Sequence, residues 1–134
     1  MTTDFSPGEN IAMKIPAHEY EATVAFYREI LKFEELTPPG VRETPRFAFG
    51  DKILWLDREP HLSQAEIWLQ ILASDIQAAS SYLEQRGCQR CDEIEQLPKE
   101  FNSFWITSPC NIIHLVSPAD DSPPDDVRLE NGVD

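Results

Sequence analysis

The chain has 134 residues and a formal net charge of −13, from 24 acidic and 11 basic residues. This length suits one compact domain or two half-size modules that share a core, with about 68% of the unfolded surface buried on folding. The negative charge would repel phosphate backbones, which excludes nucleic acid as an expected partner. No apolar stretch approaches the roughly 20 residues of a membrane span. Three cysteines, without a signal-peptide pattern, predict reduced thiols in a cytoplasmic protein.

Residues 1–9 are expected to form a loose leader before a first module, residues 10–57. Side chains alternate between apolar and polar or small over residues 10–15, which predicts a strand with one face against a helix. Residues 19–32 place apolar side chains at helical spacing. A tight turn at Gly50-Asp51 joins two short strands. The predicted elements are a strand at 10–15, a helix at 19–32, a short strand at 33–36 and strands at 46–49 and 52–57.

The second module, residues 66–116, repeats this order of elements. Ser74 and Gln77 have the spacing of a capping box, which starts a helix by satisfying free backbone N–H groups. Gly87 is suited to the left-handed residue that ends a helix. The predicted elements are a strand at 66–73, a helix that buries Ile76, Ala79 and Leu83, and strands at 88–94, 103–107 and 111–116. The acidic, proline-rich tail at 119–134 is expected to be disordered.

The two modules form an internal repeat, because the runs at 52–57 and 111–116 can be superposed position for position. The repeat predicts an α+β fold of two β-α-β-β-β modules, with a ligand site at equivalent positions of the copies. Recognisable motifs lie in the first helix at 25–33, in the second helix at 75–79 and 83–87, and in the closing strand at 108–118. They resemble motifs of the vicinal oxygen chelate superfamily, which includes glyoxalases, extradiol dioxygenases and bleomycin-resistance proteins.

This resemblance covers residues 10–118 and implies a curled mixed-sheet half-barrel with a central cleft. It also implies a possible homodimer, because a partner chain supplies half of the cleft in some members. Metal-binding members place their ligands at up to four inward positions, on the first and last strands of each module. These positions correspond here to Ala12, Trp55, Trp68 and His114. Alanine has no ligand atom and tryptophan offers only a donor N–H, so no metal and no cofactor are expected.

A register shift of two residues would give a different set of ligands. It would bring Asn10, Glu66 and Asp57 beside His114 as an oxygen-rich site, with His114 and Glu66 as the principal metal ligands. The protein would then be a divalent-metal lyase, isomerase or dioxygenase of the glyoxalase type. The cysteines do not form a zinc site, because Cys88 and Cys91 would point to opposite faces of a strand.

Three tryptophans lie in predicted strands, and they have two interpretations. They either fill the barrel as ordinary core or form the walls of a pocket that stacks flat ligands and holds cations, at about 0.5–2 kcal/mol per cation–π contact. The candidate ligand-binding residues are Trp55, Trp68, Trp105, His114, Lys14, Glu66, Gln70 and Asp57. No catalytic residue is assigned.

We therefore predict a metal-independent protein that resembles the bleomycin-resistance branch and binds a small molecule. Its ligand is expected to be aromatic and cationic, since the chain is acidic and the expected cleft is lined by tryptophan. The metalloenzyme described above is the alternative. A third possibility is an interaction module whose cleft is filled by its own tryptophans.

Overall fold

The computed structural model describes residues 2–38 and 43–119, which group into two compact units. The first unit contains Glu9–Trp68, and the second contains residues 2–8 and 69–119. The unit boundary falls within strand β1 (Phe5–Ile15) and within strand β4 (Glu66–Ala73). The predicted disorder of the tail lies outside the described residues, apart from Ala119.

The described residues of the first unit form one α-helix, a π-helical turn and a short mixed sheet. Its elements are β1, helix α1 (Ala17–Ala25), a π-helical turn (Phe26–Ile30), β2 (Arg46–Phe49) and β3 (Lys52–Arg58). The strand order is β2-β3-β1, with β3 antiparallel to β2 and parallel to β1. The sheet face that is covered by α1 forms the core, because alternate apolar side chains meet the buried stripe of the helix. This core contains Ile15, Val24, Phe47, Leu54 and Leu56.

The second unit has the same plan. Helix α2 (Ile76–Gln85) packs on strands in the order β4-β7-β6-β5, in which β4 and β7 are parallel and the other pairs antiparallel. The later strands are β5 (Gln89–Arg90), β6 (Phe104–Thr107) and β7 (Ile113–Pro118). The core contains Ala73, Ile76, Ala79, Phe104, Ile106 and Val116, with Leu83 packed against it.

Helix α2 ends as predicted but begins differently. Its N-cap is Asp75, whose carboxylate accepts a hydrogen bond from the backbone N–H of Ala78 at 3.0 Å. The hydroxyl of Ser74, the predicted cap, instead accepts a bond from the backbone N–H of Asp4 at 2.8 Å. Gly87 has φ of 78°, which lets the chain close the helix with a Schellman motif.

Several predicted boundaries are wrong for identifiable reasons. Strand β1 begins at Phe5, so the predicted leader is largely strand. The predicted strand at 88–94 is reduced to β5, because a 3₁₀ turn at Asp92–Ile94 follows it. The short strand at 33–36 is a single bridge between Glu35 and Phe47. No helix among the described residues is both long and apolar enough to cross a membrane.

Candidate functional site

Alternation along β1 and β3 separates the first unit's sheet into two faces. Ala12 is opposite Trp55 and Lys14 is opposite Asp57, while their sequence neighbours belong to the core under α1. Arg46 of β2 is also opposite Trp55. Residues that pair directly across two neighbouring strands point to the same side of the sheet. The prediction that Ala12, Lys14, Trp55 and Asp57 point away from the helix is therefore confirmed.

Trp55 is held on this face by two polar side chains. Its indole N–H donates a hydrogen bond to Asn10 Oδ1 at 2.7 Å, and the guanidinium of Arg46 lies 4.6 Å from the ring centroid. Arg46 is fully buried and forms an ion pair with Glu43. The ring therefore has a fixed orientation, because a hydrogen bond positions its edge and a neutralised cation covers one face.

Trp68, at the start of β4, has a closely similar environment. Its indole N–H donates to Glu66 Oε1 at 3.0 Å, and Lys14 Nζ lies 4.1 Å from the ring centroid. Lys14 is 5% exposed and donates a hydrogen bond to Asp57 Oδ2 at 2.8 Å. A second carboxylate oxygen, from Glu59, lies 4.0 Å from Lys14 Nζ. Each tryptophan thus has one cation over its ring and one acceptor at its N–H.

We call these two clusters together the aromatic face of the first unit. It has four carboxylates and two cations, which leaves an excess of two formal negative charges. Its members are Asn10, Lys14, Glu43, Arg46, Trp55, Asp57, Glu59, Glu66 and Trp68. Because the two cations belong to the chain, the ring faces that they cover cannot bind a cationic ligand.

Sequence reasoning missed Glu43, Arg46 and Glu59. A two-residue turn at Gly50-Asp51 sets the register of the β2–β3 hairpin, and counting outward from it places Arg46 opposite Trp55. The sequence therefore contained the signal for Arg46. Glu59 follows the end of β3 and gave no comparable signal.

The second unit places the remaining predicted site residues on two different faces. Trp105 and Gln70 are both opposite Leu115, so they point to the same side of the sheet. The indole N–H of Trp105 donates to the backbone oxygen of Glu95 at 2.9 Å. Their association with a ligand remains a prediction, while their shared face agrees with the expected alternation.

His114 points to the opposite side, so its predicted orientation is wrong. It is opposite Ile106, and Ile106 and Val116 both pack in the core with α2. Its Nδ1 lies 3.0 Å from the backbone oxygen of Ile112. The superposition of 52–57 on 111–116 was displaced by one residue, and in a strand such a slip exchanges the two faces. Leu115, and not His114, points away from the helix.

The donor atoms do not fit the divalent metal that the resemblance implies. Among residues 2–38 and 43–119, no three His, Cys, Asp or Glu side chains are grouped so that they could hold a metal ion. The oxygens of Asn10, Asp57 and Glu66 already accept hydrogen bonds from Trp55, Lys14 and Trp68. The alternative oxygen-rich set also fails because His114 points to the helix side of its strand.

The cysteines do not form a metal site either. Cys88, Cys91 and Cys110 are free thiols. Burial raises the pKa of the Cys91 thiol, and the nearby carboxylates of Glu93 and Asp92 raise it further. Metal binding and nucleophilic attack both need the thiolate, so this environment disfavours both roles for Cys91.

No protein-family model matches the chain, and no curated protein matches its sequence. A Mn(II)-bound glyoxalase from Novosphingobium aromaticivorans is similar in structure, with a TM-score of 0.62 and 16% identity over 87% of this chain. Homoprotocatechuate 2,3-dioxygenase from Arthrobacter globiformis has a TM-score of 0.56 and 16% identity over 86%. This chain spans only 40% and 36% of those two proteins.

A third similar structure matches along almost its whole length. It is a glyoxalase/bleomycin resistance protein/dioxygenase superfamily member from Vibrio splendidus 12B01, with a TM-score of 0.54 and 12% identity. The match covers 87% of this chain and 99% of that one. At identities this low, the structural similarity establishes the fold and leaves the activity open. The described residues form two α-helices and seven strands, which together with these likenesses show that the chain has the α+β fold of the vicinal oxygen chelate superfamily.

Proposed function

We propose that the protein binds a small, planar aromatic molecule on the aromatic face without the help of a metal ion. The observation that carries this proposal is the matched environment of Trp55 and Trp68. Each indole has a hydrogen-bonded N–H and a stacked, ion-paired cation, so little side-chain freedom is lost when a ligand binds. Rigid aromatic walls with a few placed polar groups are the usual composition of a small-molecule site.

We further propose that the ligand carries a positive charge. The aromatic face has two more carboxylates than cations, and Glu66 is exposed. Lys14 and Arg46 already cover one face of each ring. The ligand's charge is therefore expected to be balanced by Glu59 and Glu66, with the rings supplying stacking on their remaining surfaces. This assignment replaces the cation–π recognition expected from the sequence.

Tryptophan fluorescence and calorimetry test the proposal with a charged and a neutral probe of one shape. N-methylquinolinium should bind and change the indole emission, and quinoline at neutral pH should bind more weakly. Trp55→Phe and Trp68→Phe, which keep an apolar ring, should each weaken binding of N-methylquinolinium roughly tenfold. Tyr82→Phe is the matched control, because Tyr82 is an exposed aromatic of the second unit. Equal binding to all these variants would overturn the proposal.

The competing interpretation is that the tryptophans are packed interior groups without a ligand, as in an interaction module. Their low exposure, 5% for Trp55 and 8% for Trp68, favours it. Both interpretations predict that replacing them destabilises the fold, so stability alone does not separate them. A panel of aromatic cations that leaves both the emission and the melting temperature unchanged would favour the interaction module.

The metalloenzyme alternative has a direct test. The similar glyoxalase is Mn(II)-bound, so elemental analysis of purified protein should include manganese, iron, nickel and zinc. We expect no stoichiometric metal. A stoichiometric metal that is lost in Glu66→Gln or His114→Ala would overturn metal independence. Sedimentation would test the predicted homodimer, and fractionation of the source cells would test the predicted cytoplasmic location.

A further inference from the structure

A separate cavity of about 300 Å³ lies beside α1 in the first unit. Its apolar lining comes from Val24, Ala25 and Pro45, and Tyr20 contributes its aromatic ring. Helix α1 packs on the sheet face opposite Trp55, so this cavity is distinct from the aromatic face. The volume is at the lower end of the range for small-molecule sites, about 300–1,000 Å³.

The lining follows from the helical repeat and from the π-helical turn. The helix residues of the cavity, from Tyr20 to Glu29, are separated alternately by one and three positions, so they form one stripe of the helix surface. The stripe continues into the π-helical turn, where the N–H of Leu31 bonds to the oxygen of Phe26 at 2.9 Å. Such turns are rare, and they occur frequently at functional sites.

Two polar groups of the cavity are already engaged. Arg28 forms two hydrogen bonds of 2.8 Å with the carboxylate of Glu35, which lies outside the cavity. This pairing raises the pKa of Arg28 and lowers the pKa of Glu35. The phenol of Tyr20 donates to the backbone oxygen of Leu56 at 2.8 Å. The charge of Arg28 is therefore largely compensated, and the ring of Tyr20 is held in one orientation beside the cavity.

The carboxylates of Glu21 and Glu29 remain on the rim. Both residues are exposed, and Glu29 also interacts with the neighbouring Arg28, whose pKa it helps to raise. An apolar floor with two acids at the rim complements a molecule that has a short apolar body and a cationic end. A carboxylic acid or a phosphate would meet like charge at the same place.

We propose that this cavity is a second binding site, for a small aliphatic cation of the alkylammonium or alkylguanidinium class. The alkyl chain contacts Val24, Ala25 and Pro45, while the cationic end contacts Glu21 and Glu29. This site does not depend on the function proposed for the aromatic face. Its ligand class differs as well, because the cavity contains one partly covered aromatic ring and no tryptophan.

Amide and indole N–H chemical shifts test the site with n-butylguanidinium, and n-butylurea serves as the neutral probe of the same shape. The cation should shift the amide signals of residues 20–29 and leave the indole signals of Trp55 and Trp68 in place. n-Butylurea should produce much smaller shifts. Shifts of equal size with both probes, or shifts confined to the indoles, would overturn the proposal.

Paired variants with the same change in net charge complete the test. Glu21→Gln with Glu29→Gln should weaken n-butylguanidinium binding roughly fivefold to tenfold. Glu19→Gln with Glu34→Gln removes two nearby acids that do not line the cavity, and should change the affinity less than twofold. All four glutamates are exposed, so both proteins should fold normally. An equal loss in the two proteins would indicate general charge attraction and refute the site.

Discussion

The Lys14–Asp57 ion pair provides the most direct test of how the aromatic face is held. The two atoms Nζ and Oδ2 are 2.8 Å apart, and the side chains are 6% and 22% exposed. Lys14→Met removes the charge while it keeps an unbranched side chain against Trp68. Asp57→Asn removes the opposite charge with little change of shape. The two single variants and the double variant form a thermodynamic cycle.

The expected magnitudes follow from the burial of each partner. Removal of one member of a buried pair typically costs about 3–5 kcal/mol. In Lys14→Met the remaining carboxylate of Asp57 is partly hydrated, which lowers the expected cost to about 2–3 kcal/mol. In Asp57→Asn the buried ammonium keeps Glu59 and Trp68 nearby, so a similar cost is expected. The double variant leaves neither partner of the pair alone. Its loss in free energy of unfolding should therefore be about 2 kcal/mol smaller than the sum of the losses in the two single variants.

Urea unfolding followed by circular dichroism measures these free energies, provided that the slope with denaturant is equal across the set. The Arg28–Glu35 pair is the matched control, since its side chains are 45% and 28% exposed. Its coupling energy should be below about 1 kcal/mol, as expected of a surface pair. Additivity of the Lys14 and Asp57 effects within about 0.5 kcal/mol would refute the reasoning.

Three further predictions concern the remainder of the fold. A Cβ added at Gly8 would lie 2.5 Å from Gln70 Cγ. We therefore expect Gly8→Ala to lower the free energy of unfolding by about 1–3 kcal/mol in thermal melts, and Gln70→Gly to reduce that loss. Asp75→Ala removes the N-cap of α2 and should lower the free energy of unfolding, measured in urea, by about 1 kcal/mol. Arg28 lowers the pKa of Glu35, so this pair's stabilisation is complete above the unfolded pKa of Glu35 and is lost as the pH falls through the lower folded pKa. Urea midpoints of wild type and Arg28→Gln should therefore differ by a constant amount at neutral pH and converge at acidic pH; a gap that widens on acidification would contradict this.

Sequence pattern was sufficient to orient Lys14, Trp55 and Asp57 of the aromatic face because their strands have an unambiguous register. Polar or small residues alternate with apolar ones in the second half of β1, and a two-residue turn fixes the pairing of β2 with β3. The pattern alone therefore gives the correct orientation of Lys14, Trp55 and Asp57. Local periodicity and one turn determine the direction of these side chains, so no long-range information was needed.

The same reasoning failed for β7 because that strand is apolar on both faces. Ile112, Ile113, Leu115 and Val116 surround His114, so no alternation distinguishes the two sides of the strand. The alignment to 52–57 selected one of two registers without a physical criterion. Packing of Val116 against α2 decides the register in the folded chain, and this contact depends on residues more than 30 positions away.

The beginning of β1 was missed for a related reason. Pro7 and Gly8 normally disfavour a strand, and the local pattern therefore indicated a leader. The segment is held by distant contacts, in which Ser74 accepts a bond from the Asp4 backbone and Thr3 Oγ1 accepts one from the Asp75 backbone at 3.1 Å. Local propensity could not predict bonds that span about 70 residues.

The charges of the aromatic face explain why ligand class cannot be inferred from composition. The net charge of −13 and the tryptophans suggested that a cation would bind directly to the rings. Lys14 and Arg46 already occupy those positions, and each is paired with a carboxylate. A buried cation is costly unless it is paired, so these contacts fix the tryptophans and use part of the acidic charge internally. The charge available to the proposed ligand is the local excess of two carboxylates. Glu59→Gln with Glu66→Gln should therefore remove the preference for a cationic probe while stacking on the rings persists.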